Sequence, residues 1–363
     1  MVFSITLFGL LMLYSASGYM AVKSDLGSMY YLRKQGGFAL MGFLAMLFLS
    51  RFFDYHWLAK LDGIIYLASL VVVIASFFSG VASHGSSRWL RIMGVQFQPS
   101  ELMKPAVIIM LATIFTSLGY RINTRKQVVR SFLFAFFPAI GIMITNLSTA
   151  IIILGIAVFM LFVATQSYRH FFLLLSFTVL VYLGAYPLAL FLKDVGLLQS
   201  YQITRILAWK NPSDYPDVTY QTRQGLYAIA SGGIFGKGLG ESIQKFLMPE
   251  AQNDMIFTII CEELGLVGAV GLMLVYALIL FRLYEIAKNA KDLFGSFLVI
   301  GVIAHISLQV ILNIAVATNS IPNTGITLPF ISYGGTSLLI LLAEIGICLN
   351  VSWQTTLDTE NEE

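Results

Sequence analysis

Long apolar runs alternate with short polar connections along most of the chain. A helix needs roughly 20 residues to cross a hydrocarbon core about 30 Å thick. Runs that reach or approach this length lie at 2–22, 36–53, 63–80, 100–118, 131–146, 149–166, 170–192, 255–281, 295–318 and 328–352. Because backbone polar groups in lipid must be hydrogen-bonded within their own segment, these runs are predicted to be helical. The pattern predicts an all-α, polytopic integral membrane protein with about ten transmembrane helices.

One long hydrophilic segment, residues 193–254, separates predicted helices 7 and 8. It contains charges of both signs and a glycine-rich stretch, SGGIFGKGLG. A connection of this length is more often functional than a simple link between helices. We expect a single transmembrane domain over 1–352 that includes this loop. An acidic cytoplasmic tail over 353–363 is predicted to be disordered.

Lysine and arginine in the short connections predict the orientation. Two connections are strongly basic, one carrying Arg121, Arg125, Lys126 and Arg130 and the other Arg282, Lys288 and Lys291. Such residues accumulate on the cytoplasmic side, and both connections fall on the same side of a ten-helix arrangement. Both termini are therefore predicted to be cytoplasmic, with 193–254 outside.

The composition agrees with a membrane protein. The chain is 58% hydrophobic and 11% charged, whereas soluble domains carry about 25% charged residues. A net charge of +3 gives no indication of a nucleic-acid partner. Cys261 and Cys348 both lie in apolar runs and are interpreted as buried hydrophobic residues rather than as metal ligands or a disulfide.

Ionisable residues inside predicted helices are costly in lipid and point to function. Glu101 and Lys104 lie three residues apart, so they share one helical face and can pair. Two interpretations stay open at this point. The pair either holds one helix end internally or lines a polar cavity.

Asp254 lies where the long loop enters the next apolar run. A carboxylate there can cap the helix. It can also act at the outer surface as a general base toward a sugar hydroxyl, or hold a divalent cation. Glu262 and Glu263 follow about two turns later, and a structural partner is the favoured interpretation for at least one of them.

Two further polar groups lie in predicted outer segments. HGSSRWLRI carries His84, Arg88 and Arg91, and arginine suits phosphate recognition, although arginine also commonly snorkels to lipid headgroups. The glycine run either forms a backbone anion nest beside Lys237 or turns the chain. Because it lacks a GKS or GKT ending and a preceding strand, it does not indicate a nucleotide P-loop.

Several stretches together resemble one family. NIAVATNSIPNTGITLPFISYGGTSLL is similar to the C-terminal signature of the SEDS family, the FtsW, RodA and SpoVE proteins of bacterial cell-wall synthesis. Further stretches resemble that family in the same order, namely SSRWLRI, VQFQPSELMK, YQITRILAWKNPSD, YQTRQGLYAIASGGIFGKGLGES and IQKFLMPEAQNDMIFTIICEELG. The resemblance covers nearly the whole chain, and QKFLMPEAQND is most similar to the FtsW and SpoVE branch.

The resemblance implies a peptidoglycan glycosyltransferase that polymerises lipid II at the outer face of the bacterial cytoplasmic membrane. The 4-hydroxyl of an acceptor GlcNAc would attack C1 of a MurNAc linked to undecaprenyl pyrophosphate. Asp254 matches the family's essential aspartate, a general base or a ligand of a divalent cation such as Mg²⁺ or Mn²⁺. Glu101 and Lys104 match a pair that lines the central, substrate-binding cavity.

The resemblance also suggests binding residues and partners. Arg88, Arg205 and Lys237 are candidate contacts for the pyrophosphate charge. Besides membrane lipids and lipid II, the expected partner is a class B penicillin-binding protein, a single-span transpeptidase.

One stretch departs from the family pattern. TNLSTA has Asn146 and Ser148 where the family usually has aspartate and glycine. Asn146 cannot supply a charge, which questions any mechanism that needs two acids here. Two alternatives are therefore kept, a lipid II flippase and a non-catalytic scaffold of the division or sporulation complex. The enzyme is favoured because the distinctive polar residues gather on one side of the membrane.

Overall fold

The computed structural model describes residues 1–23, 27–79, 81–83, 86–92, 95–165 and 201–362, with the isolated positions 172, 176 and 184. Its helices are α1 (Val2–Lys23), α2 (Tyr30–Phe52), α3 (His56–Lys60), α4 (Asp62–Ser79), α5 (Pro99–Leu118), α6 (Arg125–Thr145), α7 (Leu147–Ala164), α8 (Tyr201–Lys210), α9 (Pro216–Gly232), α10 (Ile256–Lys288), α11 (Leu293–Ala317) and α12 (Gly335–Glu362). Short 3-10 turns lie at Gly119–Asn123, Pro212–Asp214 and Gln244–Phe246.

The helices agree with the predicted polytopic membrane protein. Seven described helices are long and apolar enough to cross a membrane, and the apolar parts of α1 and α4 are shorter. Large side chains such as Leu40, Leu44 and Leu47 are exposed along the outer face of α2, as expected of a surface that meets lipid. The predicted span 170–192 falls almost wholly outside the described residues, so the count of ten stays a prediction.

The C-terminal boundaries differ from the prediction. The last helix was expected over 328–352 but begins at Gly335, because Pro322, Pro329 and several glycines keep 318–334 non-helical. The helix then continues to Glu362. It extends into the acidic tail, 353–363, because that segment contains no glycine or proline to end it. The disorder predicted for this tail stays a prediction.

A small antiparallel sheet lies between α4 and α5. Its strands are β1 (Val81–Ser83), β2 (Ser86–Ile92) and β3 (Val95–Phe97), in the order β1-β2-β3. Leu90 pairs with Phe97 across β2 and β3. The sheet occupies the predicted outer connection, so the all-α class describes the membrane-spanning part of the fold.

Helices α2 and α12 pack closely through small residues. A Cβ added at Gly346 would lie 2.8 Å from the carbonyl oxygen of Met46, so only glycine allows this approach. Small residues at such contacts are typical of membrane helix pairs. Helix α12 also contacts α11, which carries three of the buried polar side chains described below.

Candidate functional site

Asp254 lies two residues before the start of α10, at the end of the long hydrophilic segment. Lys288, in the basic connection, lies at the opposite end of the same helix. The side-chain amide of Gln221, on α9, donates to Oδ1 of Asp254 at 3.2 Å. A Cβ added at Gly325 would lie only 3.8 Å from Oδ2, so the 318–334 segment borders the carboxylate on that side.

The surroundings change the acidity of this carboxylate. Burial, which favours the neutral acid, raises the pKa of Asp254 above its usual range. The positive charge of Arg205 and the hydrogen bond from Gln221 oppose this shift, while the neighbouring charge of Glu250 adds to it. A raised pKa makes the ionised carboxylate a better proton acceptor than an ordinary aspartate.

Asn313 of α11 fixes the backbone on both sides of this site. Its Nδ2 donates to the carbonyl oxygen of Asp254 at 2.9 Å and to that of Ile326 at 2.7 Å. Asn313 is fully buried. One side chain therefore holds the start of α10 against the 318–334 segment.

Asn313 is the last member of a polar series on α11. His305, Gln309 and Asn313 are four residues apart, so they share one helical face. Gln309 accepts a hydrogen bond from Lys104 at 3.5 Å and donates to the carbonyl and hydroxyl oxygens of Thr327. The series thus links the membrane interior to the 318–334 segment. Our sequence reasoning missed these residues, although polar side chains at four-residue spacing in an apolar run are a usable signal.

Glu101 and Lys104 lie on α5 and form an ion pair at 2.8 Å. Both side chains are buried, Lys104 being 1% exposed. His305 lies close enough to influence Glu101 electrostatically, and its Nδ1 is 2.8 Å from a carboxylate oxygen of Glu344 on α12. The pairing is as expected from their spacing. That this pair lines a substrate cavity stays a prediction.

Glu262 and Glu263 have structural partners. Glu262 is fully buried and accepts from Lys237 at 2.6 Å. It also accepts from the hydroxyls of Ser231 and Ser242 and from the backbone N–H groups of Ile243 and Gln244. Glu263 accepts from Ser15 of α1 at 2.6 Å and from Lys245 at 3.2 Å. Lys237 is thus engaged by Glu262, and its contact with a pyrophosphate stays a prediction.

The glycine run fills a break in α10. At Gly265 the backbone has φ 66°, a conformation that glycine adopts readily. The N–H groups of Lys237 and Gly238 donate to the carbonyls of Glu262 and Glu263. The carbonyls of residues 233 and 234 accept from Leu266 and Val267. The run therefore completes the backbone hydrogen bonds of a broken helix, which corresponds to a turn rather than to an anion nest.

The other predicted residues lie at different places. Arg205 is on α8, and its guanidinium donates to the carbonyl oxygen of Asn323 at 2.7 Å. Arg88 lies in β2, whose side chains are not described at this position, and His84 lies outside the described residues. Arg205 lies close enough to Asp254 to interact with it electrostatically.

The two residues that depart from the family pattern begin α7. Asn146 caps the helix by accepting a hydrogen bond from Thr149 N–H at 3.2 Å. The hydroxyl of Ser148 donates to the carbonyl oxygen of Thr324. Because Thr324 precedes Gly325, Ser148 supports the segment beside Asp254 with a hydrogen bond that glycine could not supply.

The described residues do not form a protein-ligated metal centre. No three histidine, cysteine, aspartate or glutamate side chains lie together in the described part of the chain. An amide N–H also faces Oδ1 of Asp254. A cation bound here would have Asp254 as its carboxylate ligand from this region and would take other ligands from water or substrate phosphate, as Mg²⁺ commonly does.

Comparisons with known proteins agree with one another. The family of FtsW, RodA and SpoVE, described as cell cycle proteins, matches residues 1–357. Stage V sporulation protein E of Bacillus subtilis is 38% identical over 95% of this chain and 93% of its own length. A probable peptidoglycan glycosyltransferase FtsW of Geobacter metallireducens is 36% identical over 97% of this chain and 92% of its own length.

Solved structures share the fold. A chain from a peptidoglycan synthase complex that coordinates polymerization and crosslinking has a TM-score of 0.79 and 26% identity, covering 98% of this chain and 96% of its own. The rod shape determining protein RodA of Thermus thermophilus has a TM-score of 0.69 and 26% identity, covering 97% of this chain and 94% of its own.

Proposed function

Since the chain belongs to the FtsW, RodA and SpoVE family of cell cycle proteins, we propose that it is a peptidoglycan glycosyltransferase. Its substrate is lipid II, which it polymerises into glycan strands at the outer face of the bacterial cytoplasmic membrane. Relatives that carry the name peptidoglycan glycosyltransferase, together with the fold shared with a chain of a peptidoglycan synthase complex, support this assignment.

The observation that carries the catalytic proposal is the state of Asp254. Among the described residues, its carboxylate receives one side-chain hydrogen bond, from the neutral amide of Gln221. Its raised pKa suits a general base, because the ionised carboxylate then has a higher affinity for a proton. Asn313 donates a hydrogen bond to the backbone carbonyl of Asp254 and so fixes the position of this residue.

The reaction then follows from the position of this base. Asp254 accepts the proton of the acceptor 4-hydroxyl while the oxygen of that hydroxyl forms a bond to C1 of the donor MurNAc. The bond between C1 and the pyrophosphate oxygen breaks, and the electron pair leaves with undecaprenyl pyrophosphate. Arg205, close enough to interact electrostatically with Asp254, offers a positive charge to the leaving group.

The remaining predicted binding residues keep more limited roles. Glu101 and Lys104 are proposed to contact substrate in the central cavity, and their link to Thr327 through Gln309 supports a connection to the outer site. Arg88 and Lys237 remain proposed pyrophosphate contacts. Both termini are proposed to be cytoplasmic, and a class B penicillin-binding protein is the proposed partner.

The test is polymerisation of labelled lipid II by the purified protein with its transpeptidase partner and a divalent cation. Asp254→Asn should make no glycan chains. Glu250→Gln, a matched loss of a nearby carboxylate in the same loop, should retain activity. Loss of activity in both variants, or retention in both, would contradict a specific role for Asp254.

A transporter of the same lipid is the second candidate, because four ionisable side chains are buried together in the membrane interior. These are Glu101, Lys104, His305 and Glu344. Measuring the transfer of labelled lipid II between leaflets of proteoliposomes separates the two functions. Transfer without polymer, unaffected by Asp254→Asn, would favour the transporter.

A further inference from the structure

A small cleft lies among α8, α9 and the segment that follows α11. Its volume is about 70 Å³, whereas one water needs roughly 10–15 Å³ on the same measure. It therefore has room for a small polar group. It is lined by Arg205 and Trp209 of α8, Thr222 and Arg223 of α9, and Asn319 and Asn323 of the following segment, among others.

The charge of this cleft is strongly one-sided. Two guanidinium groups, those of Arg205 and Arg223, line it, and none of the described lining residues carries a carboxylate. Two like charges that share a cleft repel each other, so a bound anion is favoured. Guanidinium groups also match the geometry of phosphate oxygens.

Arg223 has an unused hydrogen-bond donor. Its Nε is buried and has no partner within the described residues. A buried donor without a partner costs free energy that a bound acceptor would recover. Arg205 differs, because its NH1 already donates to the carbonyl of Asn323. Arg223 is therefore the residue that an anion would satisfy.

The cleft shares a wall with the Asp254 site. Asn323 lines the cleft and donates to the side-chain oxygen of Gln221 at 3.3 Å, while the amide of Gln221 donates to Asp254. Gln221 and Arg223 are two residues apart on α9. Two hydrogen-bonded side chains, Asn323 and Gln221, therefore connect an anion in the cleft to the proposed general base.

We propose that Arg223, together with Arg205, forms a binding site for a phosphoryl group of an isoprenoid diphosphate. This inference rests on the proposed function and adds Arg223 to it as a substrate-binding residue. The site holds the diphosphate of the lipid-linked donor before transfer and of the released carrier afterwards. Sequence reasoning did not select Arg223, since nothing in the pattern distinguished it from other basic residues of the loop.

The test measures binding in the absence of turnover, so that it does not depend on the polymerase activity. Farnesyl diphosphate is titrated into detergent-purified full-length protein carrying Asp254→Asn, with and without Arg223→Gln. We expect the Kd to rise about tenfold or more, since a charge-assisted hydrogen bond to the phosphoryl group is lost. Arg223→Lys should recover only part of the affinity, because an ammonium lacks the planar fork.

Arg282→Gln is the matched control. Arg282 is exposed and pairs with Glu285 at the other end of α10, so its loss should leave the Kd unchanged. Thermal unfolding of each variant checks that the fold is retained, and Arg223→Lys provides the test if Arg223→Gln does not fold. Equal affinity in Arg223→Gln and Arg282→Gln would overturn the proposal.

A second arm separates the two sources of a lipid phosphate. Phosphatidylglycerol micelles are added as a competitor of farnesyl diphosphate. We expect weak competition that is the same with and without Arg223. If phosphatidylglycerol competes as well as unlabelled farnesyl diphosphate, and loses this ability in Arg223→Gln, the cleft is a lipid headgroup site and the donor assignment is wrong.

Discussion

Asp254 and Glu262 are two carboxylates eight residues apart with opposite surroundings. Glu262 is fully buried and accepts five hydrogen bonds, one of them from Lys237. Asp254 is partly exposed and, within the part of the chain that the structure describes, receives one side-chain donor, a neutral amide. A carboxylate whose lone pairs are all used can stabilise a fold but has little capacity left for a substrate proton. The comparison indicates that Glu262 stabilises the fold, whereas Asp254 is available for chemistry.

The same difference appears in how the two acids are attached. Glu262 lies three residues before the break in α10 at Gly265, where the glycine run supplies backbone partners. Asp254 lies outside the helix, and its position depends on Asn313. Substitutions should therefore separate the two regions by what they damage.

The largest effect is expected from Asp254→Asn. Loss of a general base lowers the rate by roughly 10²–10⁴-fold, which glycan-chain assays with lipid II measure. The Tm should not fall. Because burial raises the pKa of Asp254, the folded state is favoured at low pH and loses that advantage as the pH rises through the raised value. Asparagine removes this penalty at neutral pH. A lower Tm would mean that Asp254 has a structural role like that of Glu262.

Glu262→Gln should show the reverse pattern. It removes an acceptor oxygen from the donors around this fully buried side chain, while Lys237, whose side chain is 28% exposed, keeps access to water, so we expect a loss of about 1–3 kcal/mol in the free energy of unfolding. Unfolding in mixed micelles measures it. Glu285→Gln, which breaks an exposed pair with Arg282, should change stability by less than about 1 kcal/mol. Comparable small losses in both variants would show that the Glu262 cluster contributes little.

Asn313 and Asn350 form a matched pair that separates an effect on the position of Asp254 from an effect on the stability of the protein. Asn350 donates to the carbonyls of Ser50 and Phe53 on the predicted cytoplasmic side, much as Asn313 does near Asp254. Both alanine variants should lose about 1–3 kcal/mol. Only Asn313→Ala should also lower kcat, by roughly tenfold or more. Equal kcat in the two variants would show that Asn313 does not position the catalytic group.

How far the sequence alone could lead differs between the membrane part and the site. Apolar run length predicted most helix positions to within a few residues, because crossing the bilayer depends on length and hydropathy. It failed at 328–334, where Pro329 and Gly334 interrupt an apolar run, and at the end of the last helix, which continues past 352 to Glu362. The partners of Glu262 could not be predicted, because Ser231, Lys237 and Ser242 approach it only through the tertiary fold. The face formed by His305, Gln309 and Asn313 was readable from their spacing.

The smallest expected effect sharpens the comparison at Asp254 itself. Gln221→Met removes the donor that favours the ionised carboxylate, so the pKa of Asp254 should rise further. Activity falls when the base is protonated, so the acid limb of the pH-rate profile should move to higher pH. Gln224→Met, on the same helix, is the control and should leave the limb in place. A limb that moves equally in both variants, or to lower pH in Gln221→Met, would mean that a group other than Asp254 controls the rate. Glu262 would keep four of its five donors after the loss of one. Replacing a single neutral partner of Glu262 should therefore produce no comparable shift of the pH-rate profile.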